Sequence, residues 1–181
     1  MSKVKLCLVA ACGAAMLMPA CGGDSGGGPD PLPTPTPIPA AAVTSMGNGA
    51  LVVHPSANPA WGVSLEVPIT IQETGGGTAT WNFARLSLWR NGVELERGEI
   101  GADVIASPPS WADITARQSE SYIMVFGFNT DDFDLITLTL GFSDKRDGRQ
   151  FESNVPFESF TEVLISLEPL SRPTQSVHRL E

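Results

Sequence analysis

The densest group of metal-binding side chains lies in a short acidic segment, Asn129-Thr130-Asp131-Asp132-Phe133-Asp134. Calcium takes several oxygen ligands from one loop, so Asp131, Asp132 and Asp134 are candidate calcium ligands. The segment lacks the twelve-residue EF-hand pattern, and acidic residues in a turn commonly serve only to keep that turn solvated. Calcium is therefore the one cofactor that the sequence offers as a candidate.

Nucleophilic catalysis has few suitable residues. A nucleophile needs a base within hydrogen-bond reach, and that base is most often histidine. The chain has two histidines, His54 at the end of a short predicted strand and His178 near the end of the sequence. We expect both to be surface residues, and two histidines alone do not form a zinc ligand set. We predict that the protein is not an enzyme.

Tryptophan offers a second kind of binding chemistry, because exposed indole rings can stack on sugars. Trp81 shares the strand parity of Phe83 and is expected in the core. Trp89 borders a predicted hairpin turn, and Trp61 and Trp111 lie in predicted loops. Trp89 and Trp111 are therefore candidate ligand-binding residues for a glycan. The competing interpretation is that each ring caps an edge of the core.

Cys21 is a candidate for covalent lipid attachment. Lys3 and Lys5 precede an uncharged run over residues 6–18, which ends at Pro19-Ala20-Cys21. This is the layout of a signal peptide, and the run is shorter than the roughly 20 residues that a transmembrane helix needs. The segment Leu17-Met18-Pro19-Ala20-Cys21 resembles the lipobox of bacterial lipoproteins. Its Met18 and Pro19 depart from the commonest form of that motif.

The lipobox resemblance implies that the thiol of Cys21 is diacylated, that residues 1–20 are removed and that the new amino group is acylated. A competing box ends at Cys12, but it would leave a much shorter hydrophobic region, so Cys21 is preferred. Each buried methylene of an acyl chain contributes ~0.8 kcal/mol to membrane binding. We predict a lipid-anchored protein of the cell envelope. Gly22 follows the cysteine where aspartate usually accompanies inner-membrane retention, which favours the outer membrane.

The composition divides the chain into four parts. We predict a signal peptide over 1–20, a lipidated cysteine with a Gly/Pro-rich linker over 21–42, a β-sandwich domain over 43–168 and a flexible C-terminal tail over 169–181. The linker cannot form a core, because glycine gives a flexible coil and alternating proline gives an extended rod. The formal net charge is −9, which disfavours nucleic acid as a partner.

The residues beyond the linker have the pattern of an all-β domain. Apolar residues recur at period two, and Asn91-Gly92 predicts a type I′ hairpin turn. Pro68 suggests an edge strand or a bulge, because it lacks an N–H. The parity changes between Phe83 and Leu86, which indicates a bulge or a strand that changes sheets. Tyr122–Phe128 and Ile136–Phe142 are expected to be central strands.

Seven or eight short strands are expected, which suits two packed sheets. The strand spacing resembles immunoglobulin-like domains of bacterial surface lipoproteins, in a fibronectin-like form because the Cys–Trp–Cys core is absent. Residues 69–105 also loosely resemble small β-sandwich proteinase inhibitors, although no inhibitory loop can be identified.

These observations predict a lipid-anchored, non-catalytic envelope sandwich that acts in adhesion, scaffolding or protein recognition, through its loops or an exposed edge strand. The alternative is a carbohydrate-binding module or a calcium-stabilised binding domain of the envelope. A protein-interaction domain predicts an exposed apolar patch or a free edge, whereas a glycan-binding domain predicts an exposed Trp89 or Trp111. An enzyme predicts a pocket in which carboxylates converge.

Overall fold

The computed structural model describes residues 37–108 and 111–180. The predicted signal peptide, Cys21 and the linker up to residue 36 lie outside the described residues. In the part of the chain that the structure describes, no helix has the length and apolar character needed to cross a membrane.

The described residues include eleven strands, one short α-helix and a 3₁₀-helix at Phe157–Ser159. In chain order the strands are β1 (Val43–Gly47), β2 (Leu51–Pro55), β3 (Val63–Glu73), β4 (Ala79–Arg90), β5 (Val93–Gly101), β6 (Asp113–Ile114), β7 (Ser119–Phe128), β8 (Leu135–Asp144), β9 (Gln150–Val155), β10 (Val163–Ile165) and β11 (Ser176–Leu180). The helix, α1, covers Ala102–Ile105. The all-β prediction is confirmed, whereas the expected number of seven or eight strands is too low.

The strands form two sheets that pack as a sandwich. The first sheet has the order β10-β2-β3-β7-β11, with β1 also paired to β3, and the second has the order β5-β4-β8-β9, with β6 paired to β4. Pairing of β3 with β7 in one sheet, and of β4, β8 and β9 in the other, matches the B–E and C–F–G strands of an immunoglobulin-type sandwich. β7 and β8 are central strands, as predicted.

The core lies between the inner faces of the two sheets and contains a cluster of aromatic side chains. The ring centroid of Trp81 lies 5.2 Å from that of Tyr122 in an edge-on contact and 6.4 Å from that of Phe142 in a stacked contact. Tyr122 belongs to the first sheet, and Trp81 and Phe142 belong to the second. Aromatic pairs at such separations stabilise a core beyond the area they bury. The predicted core position of Trp81 is confirmed.

A bulge in β4 places Trp81 and Phe83 on opposite faces of the sheet. The register between β4 and β8 shifts between Trp81 and Phe83, so the predicted bulge is confirmed. Trp81 points into the core, but Phe83 lies on the outer face, where a side chain on Gly141 would come within 2.0 Å of its ring. The expectation that Phe83 shares the core side with Trp81 was wrong, because the bulge inserts an extra residue between them.

Pro68 lies in the central strand β3, so the predicted edge position was wrong. β3 pairs with β7 on one side, and on the other side it pairs first with β2 and then with β1. Pro68 lies where the partner changes from β2 to β1, and its carbonyl accepts the N–H of Asn48 at 3.0 Å. Because the amide and carbonyl of one strand residue point to the same side, the missing N–H faces this junction. No ladder hydrogen bond is lost there.

The asparagine-glycine pair makes the turn that the sequence predicts. Asn91 and Gly92 both have positive φ angles, of 51° and 76°, as a type I′ turn requires. Arg90 pairs with Val93, and Trp89 pairs with Glu94. The hairpin between β4 and β5 is therefore confirmed in both turn type and register.

Glu73 ties the start of the domain to two later loops. Its buried carboxylate accepts the backbone N–H groups of Ala42, Gly75, Gly76 and Arg117 at distances of 2.8–3.0 Å. Burial by itself would raise the pKa of Glu73, but these N–H donors outweigh it and leave the pKa below the ordinary value.

The sandwich begins earlier than the sequence predicts. The N–H of Ala41 donates to the buried Oδ2 of Asp144 at 2.9 Å, and the side chain of Ala41 is itself buried. Ala42 likewise donates to Glu73 at 3.0 Å. The last residues assigned to the linker, 41 and 42, therefore pack as part of the domain.

A polar group at the edge of the core joins β7 to β11. The hydroxyl of Tyr122 donates to Oε2 of Glu120, and Nη2 of Arg179 contacts Oε1 of the same carboxylate at 2.9 Å. The pKa of Tyr122 lies well above its ordinary value, mainly because the phenol is buried and secondly because it donates a hydrogen bond to Glu120.

Residues 169–180 belong to the sandwich, although the sequence predicts a flexible tail from residue 169. Residues 176–180 form β11, which pairs antiparallel with β7. The segment before it crosses the outer face of the first sheet, where Leu170 is buried and Thr174 Oγ1 lies 3.2 Å from Ser64 Oγ. Ile123 and Val125 are buried as well, so β7 is buried on both faces.

Candidate functional site

The three candidate calcium ligands do not converge. Asp132 forms an ion pair with Arg90, and Oδ2 of Asp134 accepts the N–H of Asn91 at 2.8 Å. Asp131 is exposed. Within residues 37–108 and 111–180, no three histidine, cysteine, aspartate or glutamate side chains are grouped to hold a metal ion. The acidic loop therefore uses two of its carboxylates to hold the hairpin between β4 and β5.

The two candidate glycan-binding tryptophans lie at opposite ends of the second sheet. Trp89 lies near the end of β4, whereas Trp111 precedes β6, which pairs with the start of β4. Strands rise about 3.3 Å per residue, so roughly 35 Å separates the two ends of the twelve-residue strand β4. Both rings are half-buried, and the indole N–H of Trp89 donates to Thr137 Oγ1 at 2.9 Å. The structure does not bring Trp89 and Trp111 into one platform.

The two histidines both lie in the first sheet and are half-buried. Nδ1 of His54 lies 3.1 Å from the carbonyl oxygen of Glu168, and its Nε2 lies 4.0 Å from a carboxylate oxygen of Glu66. Arg172 contacts the same oxygen of Glu66 at 3.1 Å. The pKa of His178 lies below its ordinary value. Burial is the main cause and the positive charge of Arg172 is the second, whereas the negative charge of Glu66 acts in the opposite direction. These polar contacts hold the segment that covers the sheet.

A groove of about 590 Å³ lies beside Phe83 on the second sheet. Its walls include Asn82, Phe83, Gln150 and Glu152, and Glu152 is the one carboxylate among its lining residues. The guanidinium carbon of Arg85 lies 4.8 Å from the centroid of the Phe83 ring. Gly141 also lies against the ring of Phe83.

An exposed apolar edge lies at β10, a place that the sequence analysis did not identify although it expected such an edge in a protein-interaction domain. The side chains of Val163 and Leu164 are each 43% exposed, Ile165 is 75% exposed and Leu167 is 92% exposed. β10 pairs with β2 on one side and has no partner strand on its other side among the described residues. A continuous apolar run usually indicates a buried strand, so the sequence of residues 163–167 gave no sign of their exposure.

The fold is a two-sheet β-sandwich with an exposed apolar edge at β10. No family model matches the chain, and a comparison with curated proteins gives no match.

Proposed function

We propose that this chain is a lipid-anchored protein of the cell envelope, whose sandwich binds a protein partner without catalysis. The observation that carries this proposal is the apolar stretch at β10, where four large side chains within five residues are exposed. Exposed apolar surface is costly in water, so several large apolar side chains exposed within one short segment are typical of a protein-interaction site.

The anchor in this proposal rests on the sequence alone. Acylation of Cys21 would hold the domain at a membrane, with the outer membrane favoured over the inner, and the Gly/Pro-rich linker would carry the sandwich away from the lipid surface. Cys21→Ser is expected to abolish metabolic labelling with a fatty acid and to move the protein from the membrane fraction to the soluble one. Labelling that persists in this variant would contradict attachment at Cys21.

The binding surface is tested by photocrosslinking in living cells. A photoreactive amino acid at Ile165 or Leu167 of the full chain is expected to give a discrete crosslinked product. The control position is Val93, which is 62% exposed at the hairpin between β4 and β5. Leu164→Lys is expected to remove the product at Leu167 while leaving the thermal unfolding midpoint nearly unchanged. A product equally strong at all three positions, or at none, would contradict a partner site at β10.

A further inference from the structure

The backbone of β10 presents, along the edge of the first sheet, hydrogen-bonding groups that have no partner within residues 37–108 and 111–180. The carbonyl of Glu162 accepts the N–H of Leu51 at 2.9 Å, and the N–H of Ser166 donates to Val53 at 2.8 Å. Successive residues of a strand point their backbone groups to opposite sides, so residues 162, 164 and 166 face β2. The amides and carbonyls of Val163 and Ile165 therefore face away from the sheet.

The β10 edge is short, at three residues, but it lacks charge and proline. Natural edges are guarded by short length, charged residues, proline or bulges. β5, at an edge of the second sheet, carries Glu94, Glu96, Arg97 and Glu99. Residues 163–167 contain no charge and no proline. An edge with free backbone groups and apolar side chains is suited to accept one more strand.

Acidic residues at both ends of this edge indicate the charge of that strand. Glu162 and Glu168 flank the apolar run, both are exposed, and neither forms an ion pair within the described residues. Residues 150–171 contain four glutamates and no lysine or arginine. Opposite charges across paired strands stabilise the pairing, and like charges oppose it.

We propose that β10 binds, by strand addition, an extended segment of another protein in which lysine or arginine flanks apolar residues. This inference rests on the proposed function and names the partner of the same surface. The backbone groups of Val163 and Ile165 pair with the incoming strand, its apolar side chains cover those of β10, and its basic ends meet Glu162 and Glu168.

Two other occupants fit this edge less well. In an antiparallel pairing of two copies centred on Ile165, Glu162 of one copy would lie opposite Glu168 of the other at both ends, and such like-charge pairs are unfavourable. The proline-rich part of the chain's own linker, residues 29–39, alternates prolines that have no N–H to donate. The charge pattern and the backbone chemistry therefore favour a segment of a different protein.

The proposal is tested with synthetic peptides and the full acylated chain in detergent micelles. The probe is the dye-labelled peptide Lys-Val-Thr-Val-Thr-Val-Lys, and its binding is measured by fluorescence anisotropy. Two matched peptides serve as controls. In the first, glutamate replaces both lysines. In the second, the alternate amides that would face β10 carry N-methyl groups. We expect each altered peptide to bind at least about ten-fold more weakly, and we expect the charge effect to shrink as salt screens it.

Variants of the protein separate the backbone from the side chains. Ile165→Pro removes an outward N–H, and we expect it to weaken binding of the lysine peptide at least about ten-fold. Ile165→Thr keeps that N–H and the β-branched shape, and we expect binding within about three-fold of wild type. Thermal unfolding of both variants shows whether the sandwich is intact.

Four other results would each contradict a different part of the proposal. Equal binding of the N-methylated peptide would exclude strand addition but leave the photocrosslinked partner site intact. Equal binding of the glutamate peptide would remove the charge preference. A dimer that forms through β10 in sedimentation experiments and is unaffected by peptide would replace the partner with a second copy. Failure of all peptides together with absent crosslinking at Ile165 would remove the proposed function as well.

Discussion

The backbone N–H of Arg117 donates to Oε2 of Glu73 at 2.9 Å, although the two residues are 44 positions apart in the chain. The same carboxylate accepts the amides of Ala42, Gly75 and Gly76. One buried side chain thereby fixes the entry to the domain, the turn after β3 and the loop before β7.

Glu73→Gln is expected to lower the free energy of unfolding by about 3 kcal/mol, because an amide has one acceptor oxygen and carries no charge to strengthen these hydrogen bonds. The measurement is chemical denaturation near neutral pH. The control is Glu99→Gln, which changes an exposed carboxylate paired with Arg85, and it should alter stability by less than about 0.5 kcal/mol. Equal effects of the two substitutions would contradict this role.

The contribution of Glu73 should also depend on pH. Folding lowers its pKa, so the folded state favours the carboxylate, and the stabilisation is complete above the pKa of the unfolded chain. It is lost as the pH falls through the lower folded value. The stability difference between wild type and Glu73→Gln should therefore shrink between about pH 6 and about pH 3. A difference that stays constant over this range would show that the charge is not involved.

Tyr122 should resist ionisation for as long as the domain stays folded. It is the only tyrosine in the chain, so the ultraviolet absorbance of tyrosinate reports this residue alone. Burial and the hydrogen bond to Glu120 raise its pKa, and ionisation should therefore coincide with alkaline unfolding. A raised pKa means that folding favours the protonated phenol. The contribution of this phenol to stability is therefore complete below about pH 10 and is lost at higher pH. Titration near the ordinary pKa in the folded protein would contradict the burial.

Gly141→Ala should destabilise the domain by about 2 kcal/mol, because its side chain would overlap the ring of Phe83. In the double variant with Phe83→Ala the overlap is gone, so the cost of adding the methyl group should largely vanish. The control is Thr139→Ala, two positions earlier on the same face of β8, which loses a hydrogen bond from Thr139 Oγ1 to Asn154 Oδ1 and should cost about 1 kcal/mol or less. If denaturation shows that the effects of Gly141→Ala and Phe83→Ala are additive, the two residues are not in direct contact.

The acidic loop should act on the hairpin and not through calcium. Asp134→Ala removes the acceptor of the Asn91 N–H and should cost about 1 kcal/mol, whereas Asp131→Ala should have little effect. Added calcium should leave the thermal unfolding midpoint unchanged in wild type and in both variants. A calcium-dependent rise that Asp131→Ala removes would restore the metal-binding hypothesis.

Local patterns in the sequence were sufficient to predict most of the sandwich. The alternation along β8 and the turn at Asn91-Gly92 depend on neighbouring residues, so both were predicted correctly. The bulge in β4 was also evident as a change of parity, but its exact place was not, and Phe83 was therefore assigned to the wrong face. A parity change shows that an extra residue is present without showing which residue it is.

The long-range features had weaker signals. Tyr122–Phe128 is apolar at both parities, which is the sign of a strand covered on both faces, but nothing local identifies residues 166–175 as the cover. Pro68 was predicted to lie at an edge or a bulge, because the sequence does not show that β1 replaces β2 as the partner of β3 beside this residue. The exposure of β10 is of the same kind, because it depends on what other segments leave uncovered.

The pairing of β10 with β2 also determines when the proposed binding edge can exist. Val163 pairs with Leu51, more than a hundred residues earlier, whereas the hairpins β4–β5 and β8–β9 join neighbouring segments. Contacts between distant segments carry the larger loop-closure cost and tend to form late in folding. A partner that docks on β10 would therefore engage only chains whose folding is nearly complete, which would make binding itself a checkpoint for maturation.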